Sequence, residues 1–280
     1  MRRFFLLIIA VLTLLSPTVA VGQIISSYED RFNPDSVRHD FANQPYFGLY
    51  KDNYFIFGPP IGPKPNKTNT NIKFQISIAQ RITNATLPGG TYLYLFYSQK
   101  CFWNVLQNSM PMTDLNFNPG IGLTKPLFVK DRYVGKVSLI IEHESNGRDS
   151  IESRSRNKVS LASNIIIDPH LMVAGKIWIP IVDGQNNKDI LKYCGIYQTT
   201  VQFTSTNKKF SAALTLVKRK GWNLNYNTIV DGAYRFSRKS NQFFFLQYYN
   251  GYGEGLLDYK VWKSQLRVGI VIKPQLFSDF

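Results

Sequence analysis

His143 and Ser145 place an imidazole and a hydroxyl two positions apart in the run HESNGRDSIESRSRN, which ends at Asn157. On a β-strand that spacing puts both side chains on one face. Asn157 lies far enough downstream to return on the neighbouring strand of a hairpin. A hydroxyl beside an imidazole, with a third polar group to orient the ring, is what a serine hydrolase needs: nucleophile, general base and orienting partner.

The elements that must position these groups are strands. Ile72, Phe74, Ile76 and Ile78 alternate with Lys73, Gln75 and Ser77, and the same period of two recurs at Val137–Leu139–Ile141, at Leu171–Val173 and Ile177–Ile179, and at Leu266–Val268–Ile270–Ile272. No comparably long segment carries helical periodicity. Twelve strands are predicted, near 46–58, 72–83, 91–104, 116–125, 134–145, 157–167, 169–182, 189–205, 208–219, 222–236, 241–251 and 264–275. Their lengths suit tilted membrane strands, and an even count suits a closed antiparallel transmembrane β-barrel. Tight connections at 168–169, 204–207 and 237–241 alternate with long ones at 59–71, 105–115, 146–156 and 252–263. Short turns on one rim and long loops on the other are expected of an outer-membrane barrel, with the long set outside.

In that topology the fifth strand runs outward and brings His143 and Ser145 to the long-loop rim. Both share the parity of Val137, Leu139 and Ile141, and Asn157 shares that of Val159, Leu161 and Ile165, so all three are expected on the lipid-facing wall. Lys73, Gln75, Arg81, Glu142, Lys176 and Arg267 have the opposite parity. They would line either a narrow water channel or an interior plugged by hydrogen-bonded side chains.

The chain opens with a secretory signal: Met1-Arg2-Arg3, the apolar run Phe4 to Leu15, and small residues at Ala20-Val21-Gly22. Residues 1–22 are thus predicted as signal peptide, 23–45 as a polar periplasmic N-terminal arm and 46–280 as the barrel, closing on the aromatic Phe280. The 280 residues carry 33 Lys and Arg against 18 Asp and Glu. The basic residues are scattered through turns and alternate strand positions, so an anionic lipid surface is favoured over nucleic acid as the partner. Cys101 is assigned to the outward face and Cys194 to the inward face, which argues against a disulfide. His39, His143 and His170 have no metal-ligand spacing.

The motif His143-x-Ser145-Asn146-Gly147-Arg148, followed by Ser153-Arg154-Ser155-x-Asn157, resembles that of the outer-membrane phospholipase A family. The resemblance covers residues 46–280. It implies a calcium-dependent phospholipase in the outer membrane of a Gram-negative bacterium, acting on phospholipids and lysophospholipids of the outer leaflet and activated by dimerisation. Ser145 would be the nucleophile, His143 the base, Asn157 the ring's partner, and the Gly147 amide an oxyanion donor. Ca2+ would take the Ser153 hydroxyl and the Arg148 carbonyl from one chain and the Ser109 carbonyl from the other. Gln99 matches a family glutamine at the subunit interface. Ser150 and Asn186 stand where the family has acidic ligands for a second calcium position. Arg148, Arg154 and Arg156 offer guanidinium groups for phosphate headgroups or are simply solvated. A passive pore and a structural or adhesin barrel would share the fold without needing the His–Ser–Asn cluster.

Overall fold

The computed structural model describes residues 46–83, 87–129, 132–182, 187–237 and 240–274. The proposed signal peptide, the N-terminal arm, Asn186 and Phe280 lie outside the described residues. Thirteen strand segments follow in chain order: β1 (Phe47–Leu49), β2 (Asn53–Gly58), β3 (Asn71–Arg81), β4 (Tyr92–Trp103), β5 (Met112–Val129), β6 (Arg132–Ser145), β7 (Ser155–Ile166), β8 (Leu171–Val182), β9 (Tyr197–Thr204), β10 (Phe210–Lys218), β11 (Tyr226–Arg235), β12 (Gln242–Gly251) and β13 (Lys263–Ile272). Each pairs antiparallel with its sequence neighbour from β2 onward, and β13 closes on β2. β1 and β2 both pair with β3 and form two halves of one stave, so the closed barrel has twelve.

The barrel is inside-out. Ile76, Leu95, Leu139, Ile141, Leu161, Ile177 and Ile179 are exposed on the outer wall, whereas Lys73, Glu142, Lys158, Ser160 and Arg267 are buried within. A strand alternates its side chains between faces. With lipid outside, the usual soluble alternation is therefore reversed. The interior is largely filled by paired side chains rather than left as an open channel. Glu254 accepts from Arg267 at 2.6 Å and Lys73 at 3.1 Å, Lys73 also donates to Gln247 at 2.6 Å, and Arg267 donates to Asn71 at 2.9 and 3.1 Å.

Several boundaries differ from the alternation pattern, three of them for reasons visible in the packing. The stave predicted at 46–58 is broken at Tyr50–Asp52, where the Tyr50 ring turns inward and stacks on Phe96 with centroids 4.4 Å apart. β5 starts earlier than expected, because its inward polar residues Asp114 and Asn116 receive the amides of Leu257 and Leu256 at 3.0 and 3.1 Å. The strand predicted over 189–205 begins only at Tyr197; Leu191–Cys194 is one helical turn. That turn packs Ile190 and Cys194 against Leu256 and Tyr259 of the 252–262 loop, and the two segments cap the long-loop end of the barrel. Cys101 and Cys194 are free and buried.

Candidate active site

β6 and β7 leave the barrel as a hairpin whose 146–154 loop contains a single 3-10 turn, Ser150–Glu152. Their register sets His143 opposite Asn157 and Ser145 opposite Ser155. Directly opposed residues have Cβ atoms about 5 Å apart, which suits a side-chain hydrogen bond. His143 Nδ1 lies 2.8 Å from Asn157 Oδ1. An amide oxygen accepts only, so Nδ1 carries the proton and Nε2 keeps a free lone pair. Ser145 shares the outward face with His143, about 7 Å further along the strand, and is half-buried while His143 and Asn157 are exposed.

On the other flank, the register through Phe117↔Ser145 and Gly120↔Glu142 sets Pro119 opposite His143. Proline has no N–H to give to the ladder. The side-chain amide of Asn118 donates to the His143 carbonyl instead, at 2.9 Å. This satisfies a backbone acceptor that would otherwise go unpaired.

The inner face of the same hairpin holds an ion network. Glu144 accepts from Arg156 Nε at 2.7 Å and from Lys158 Nζ at 3.0 Å. Glu142 accepts from Lys176 at 2.6 Å and from the Ser160 hydroxyl at 2.8 Å. Arg156 therefore points into the lumen and is not available to a headgroup at the outer wall. Arg148 donates to Glu152 at 2.5 Å and to the Thr113 carbonyl at 2.8 Å, and Arg154 donates to the Ile151 and Ser153 carbonyls at 2.7 and 2.8 Å. These arginines brace the loop.

Asn146, which sequence reasoning left without a role, ties the loop together. Its amide nitrogen donates to the Glu152 carbonyl at 2.8 Å, its side-chain oxygen accepts from Arg154 N–H at 2.9 Å, and its own N–H meets the Arg154 carbonyl at 3.0 Å. Its inward parity immediately after the strand was the available signal. Gly147 follows with φ +65°, and a Cβ there would sit 2.7 Å from Phe117 Cε2. Only glycine accepts that backbone without strain.

The proposed calcium ligands divide between two loops. Arg148 and Ser153 lie in the 146–154 loop, whereas Ser109 is exposed in the 104–111 loop, and no hydrogen bond among the described residues joins Ser109 to them. The Arg148 carbonyl and the Ser153 hydroxyl are hard oxygen donors of the kind calcium takes. Two such donors leave it far short of its six to eight ligands. The arrangement fits a site completed from elsewhere.

Gln99 is on the outward face of β4, where Tyr97 Oη donates to its Oε1 at 2.9 Å and its Nε2 donates to Cys101 Sγ at 3.4 Å. Register carries Gln99 across Phe117 to Ser145, so the two stand level, two strands apart.

The family model of phospholipase A1 matches residues 51–272. The chain belongs to the phospholipase A1 family. Phospholipase A1 of Proteus vulgaris is 28% identical over 213 residues, covering 74% of this chain and 71% of that protein. The Escherichia coli K12 enzyme is 28% identical over 216 residues with the same coverage. Among solved structures, outer membrane phospholipase A from Escherichia coli aligns with TM-score 0.70 at 24% identity, over 81% of this chain and 98% of that one. The Salmonella typhi outer membrane phospholipase dimer with bound calcium aligns with TM-score 0.71 at 24% identity, over 82% and 93%. The fold is that of these barrels, and the chain is a phospholipase.

Proposed function

We propose that this phospholipase resides in the outer membrane and cleaves acyl esters of phospholipids and lysophospholipids from the outer leaflet, using Ser145, His143 and Asn157 on the barrel's outer wall. The observation that carries the assignment is the 2.8 Å contact between His143 Nδ1 and Asn157 Oδ1, on the face that also bears Ser145. His143 Nε2 accepts the Ser145 proton as Oγ attacks the ester carbonyl, and returns it to the leaving alcohol. Asn157 holds the ring and its tautomer. A neutral amide suits this wall, because an ionised carboxylate there would cost several kcal/mol. The Gly147 N–H, freed by the left-handed turn, is the proposed donor to the developing oxyanion.

Calcium, when bound, supplies positive charge beside that oxyanion. The Arg148 carbonyl and Ser153 hydroxyl of one chain, with the Ser109 carbonyl of a second copy, are the proposed ligands. The Salmonella typhi relative, a dimer with bound calcium, supports a part for calcium and for a second copy. Gln99, which stands level with Ser145, is the proposed contact residue at the subunit interface.

Fatty-acid release from mixed phospholipid–detergent micelles tests the proposal. Release is expected with calcium, is expected to stop with chelator, and is expected to be abolished in Ser145→Ala. Release that ignores chelator would remove calcium from the mechanism. Full activity in Ser145→Ala would remove the nucleophile.

A further inference from the structure

The outer wall is occupied by the hydrolytic site, but the inner face of the same strands has a charge imbalance that hydrolysis does not use. The lumen retains a cavity of about 290 Å3. Its wall carries seven cationic side chains and four carboxylates, with a fifth carboxylate, Glu142, beside it as the partner of Lys176. Most of these pair: Lys73 with Glu254 at 3.1 Å, Lys273 with Asp52 at 2.5 Å, Arg156 and Lys158 with Glu144 at 2.7 and 3.0 Å, and Lys176 with Glu142 at 2.6 Å. Asp231, the remaining carboxylate, accepts from the neutral amide of Gln247 at 3.0 Å.

Three donors are left over on the β6–β7 side. Lys51 and Lys100 have no carboxylate within 4.0 Å among the described residues; their ammonium groups lie 5.5 Å from the Tyr50 ring and 6.0 Å from the Phe102 ring, and Glu142 and Glu144 act on them only from further off. Arg156 has an 8% exposed side chain, and its buried Nη1 has no hydrogen-bond partner among the described residues. Buried charges are normally paired and buried donors satisfied. Here a buried guanidinium N–H goes unsatisfied, and two half-buried ammonium groups lining the same cavity make no ion pair.

We propose that the lumen is an oxyanion site, and that its ligand is of the phosphate class, held by Lys51, Lys100 and the free Nη1–H of Arg156. A guanidinium edge with flanking ammonium groups is the donor set that phosphate oxygens match. The space is ample, since one water needs only about 12 Å3 of such volume. The cavity wall includes Met172, beside the β7–β8 turn, and Gln202, beside the β9–β10 turn, so it extends toward the short-turn rim, away from the cap. The ligand would lie behind the proposed catalytic pair, because Arg156 and Lys158 flank Asn157 in sequence. The inference is independent of the hydrolytic assignment.

The test uses the full-length mature protein, refolded in a zwitterionic detergent without calcium and titrated calorimetrically with inorganic phosphate, with sodium chloride at matched ionic strength as control. Saturable phosphate binding that chloride does not reproduce is expected. The double variant Lys51→Met/Lys100→Met should bind at least tenfold more weakly, and Lys51→Arg/Lys100→Arg should retain binding. Should the double Met variant fail to fold, judged by heat-modifiable gel mobility, Lys100→Met alone carries the test. Glycerophosphocholine distinguishes the source: binding as tight as that of phosphate would make a lipid headgroup fragment the ligand, whereas binding of phosphate alone would make it free phosphate. Phosphate binding no stronger than chloride's, or unchanged in the Met variants, would overturn the proposal.

Discussion

Replacing Asn157 by Ala should slow the enzyme without stopping it, by an amount the geometry bounds. The substitution removes one neutral hydrogen bond, the 2.8 Å contact to His143 Nδ1. Such a bond is worth about 0.5–1.5 kcal/mol net. If that energy serves to hold the ring in its reactive orientation, its loss appears in kcat as about a two- to twelve-fold reduction, at about 1.4 kcal/mol per tenfold. The substrate does not meet Asn157 in the proposed mechanism, so KM should change by less than about twofold. The assay is initial-rate fatty-acid release from mixed micelles over a range of lipid mole fractions, on protein shown to be folded by heat-modifiable mobility. A collapse to the level of Ser145→Ala would mean that Asn157 does chemistry beyond orientation. A loss confined to KM would mean that it binds substrate. Either outcome would refute the reasoning.

Gly147→Ala forces a side chain into the left-handed region, costing about 1–2 kcal/mol, and sets its Cβ 2.7 Å from the Phe117 ring; activity should fall at least tenfold while heat-modifiable mobility stays normal. Glu254→Gln strips the charge from a fully buried carboxylate paired with Lys73 and Arg267, and should destabilise the barrel by about 3–5 kcal/mol in urea unfolding; a change under about 1 kcal/mol would deny the cap its anchor. Partial desolvation pushes the Asp189 carboxyl up, but hydrogen bonds from Lys260 and Tyr259 outweigh it and hold it below its usual value of 3.8. Its contribution to the cap is therefore present above that value and is lost as pH falls through the lower folded-state value. Pepsin cleavage near 187–196 should rise between about pH 4 and about pH 2, and Asp189→Asn should remove that dependence.

The barrel and the outward placement of His143, Ser145 and Asn157 were legible because a membrane strand alternates in period two, and one parity fixes every side chain on it. The motif from His143 to Asn157 was a signal of another kind, carried by its resemblance to the family's. The cap was not legible. Ile190 and Cys194 repeat at i and i+4, a single helical turn, too short to stand out against the alternation of Tyr197–Thr204 that follows. Glu254 lies in a long loop and carries no sequence signal of its role, which arises from Lys73 and Arg267, 181 and 13 residues away in sequence and brought to it only once the barrel closes. Arg156 was left open between a headgroup contact and a solvated side chain, although its parity already set it opposite Asn157's face. Asn118 could not be anticipated, because its bond answers a donor missing from Pro119 in a register fixed by the fold.

The position of Gln99 bears on the proposed activation by a second copy. It is level with Ser145 across one intervening strand, which places it about 10 Å away at the usual strand spacing. In one chain its amide is satisfied by Tyr97 and the weak acceptor Cys101, so a barrel on its own has little need of a partner there. A second copy docked on the β4 stripe would offer Gln99 a stronger, symmetry-related amide and would wall one side of the hairpin. It would also bring its own 104–111 loop toward the Arg148 and Ser153 oxygens, which are too few in one chain to hold calcium. In this scheme the catalytic hydrogen bond is complete in the monomer and only the oxyanion site is not. Gln99→Ala should therefore weaken both dimer formation, measured by chemical cross-linking in micelles, and apparent calcium affinity. Activity at saturating calcium and high protein concentration should be largely intact. If activity is instead lost at every concentration while the dimer still forms, Gln99 acts within its own chain and the coupling of assembly to calcium is wrong.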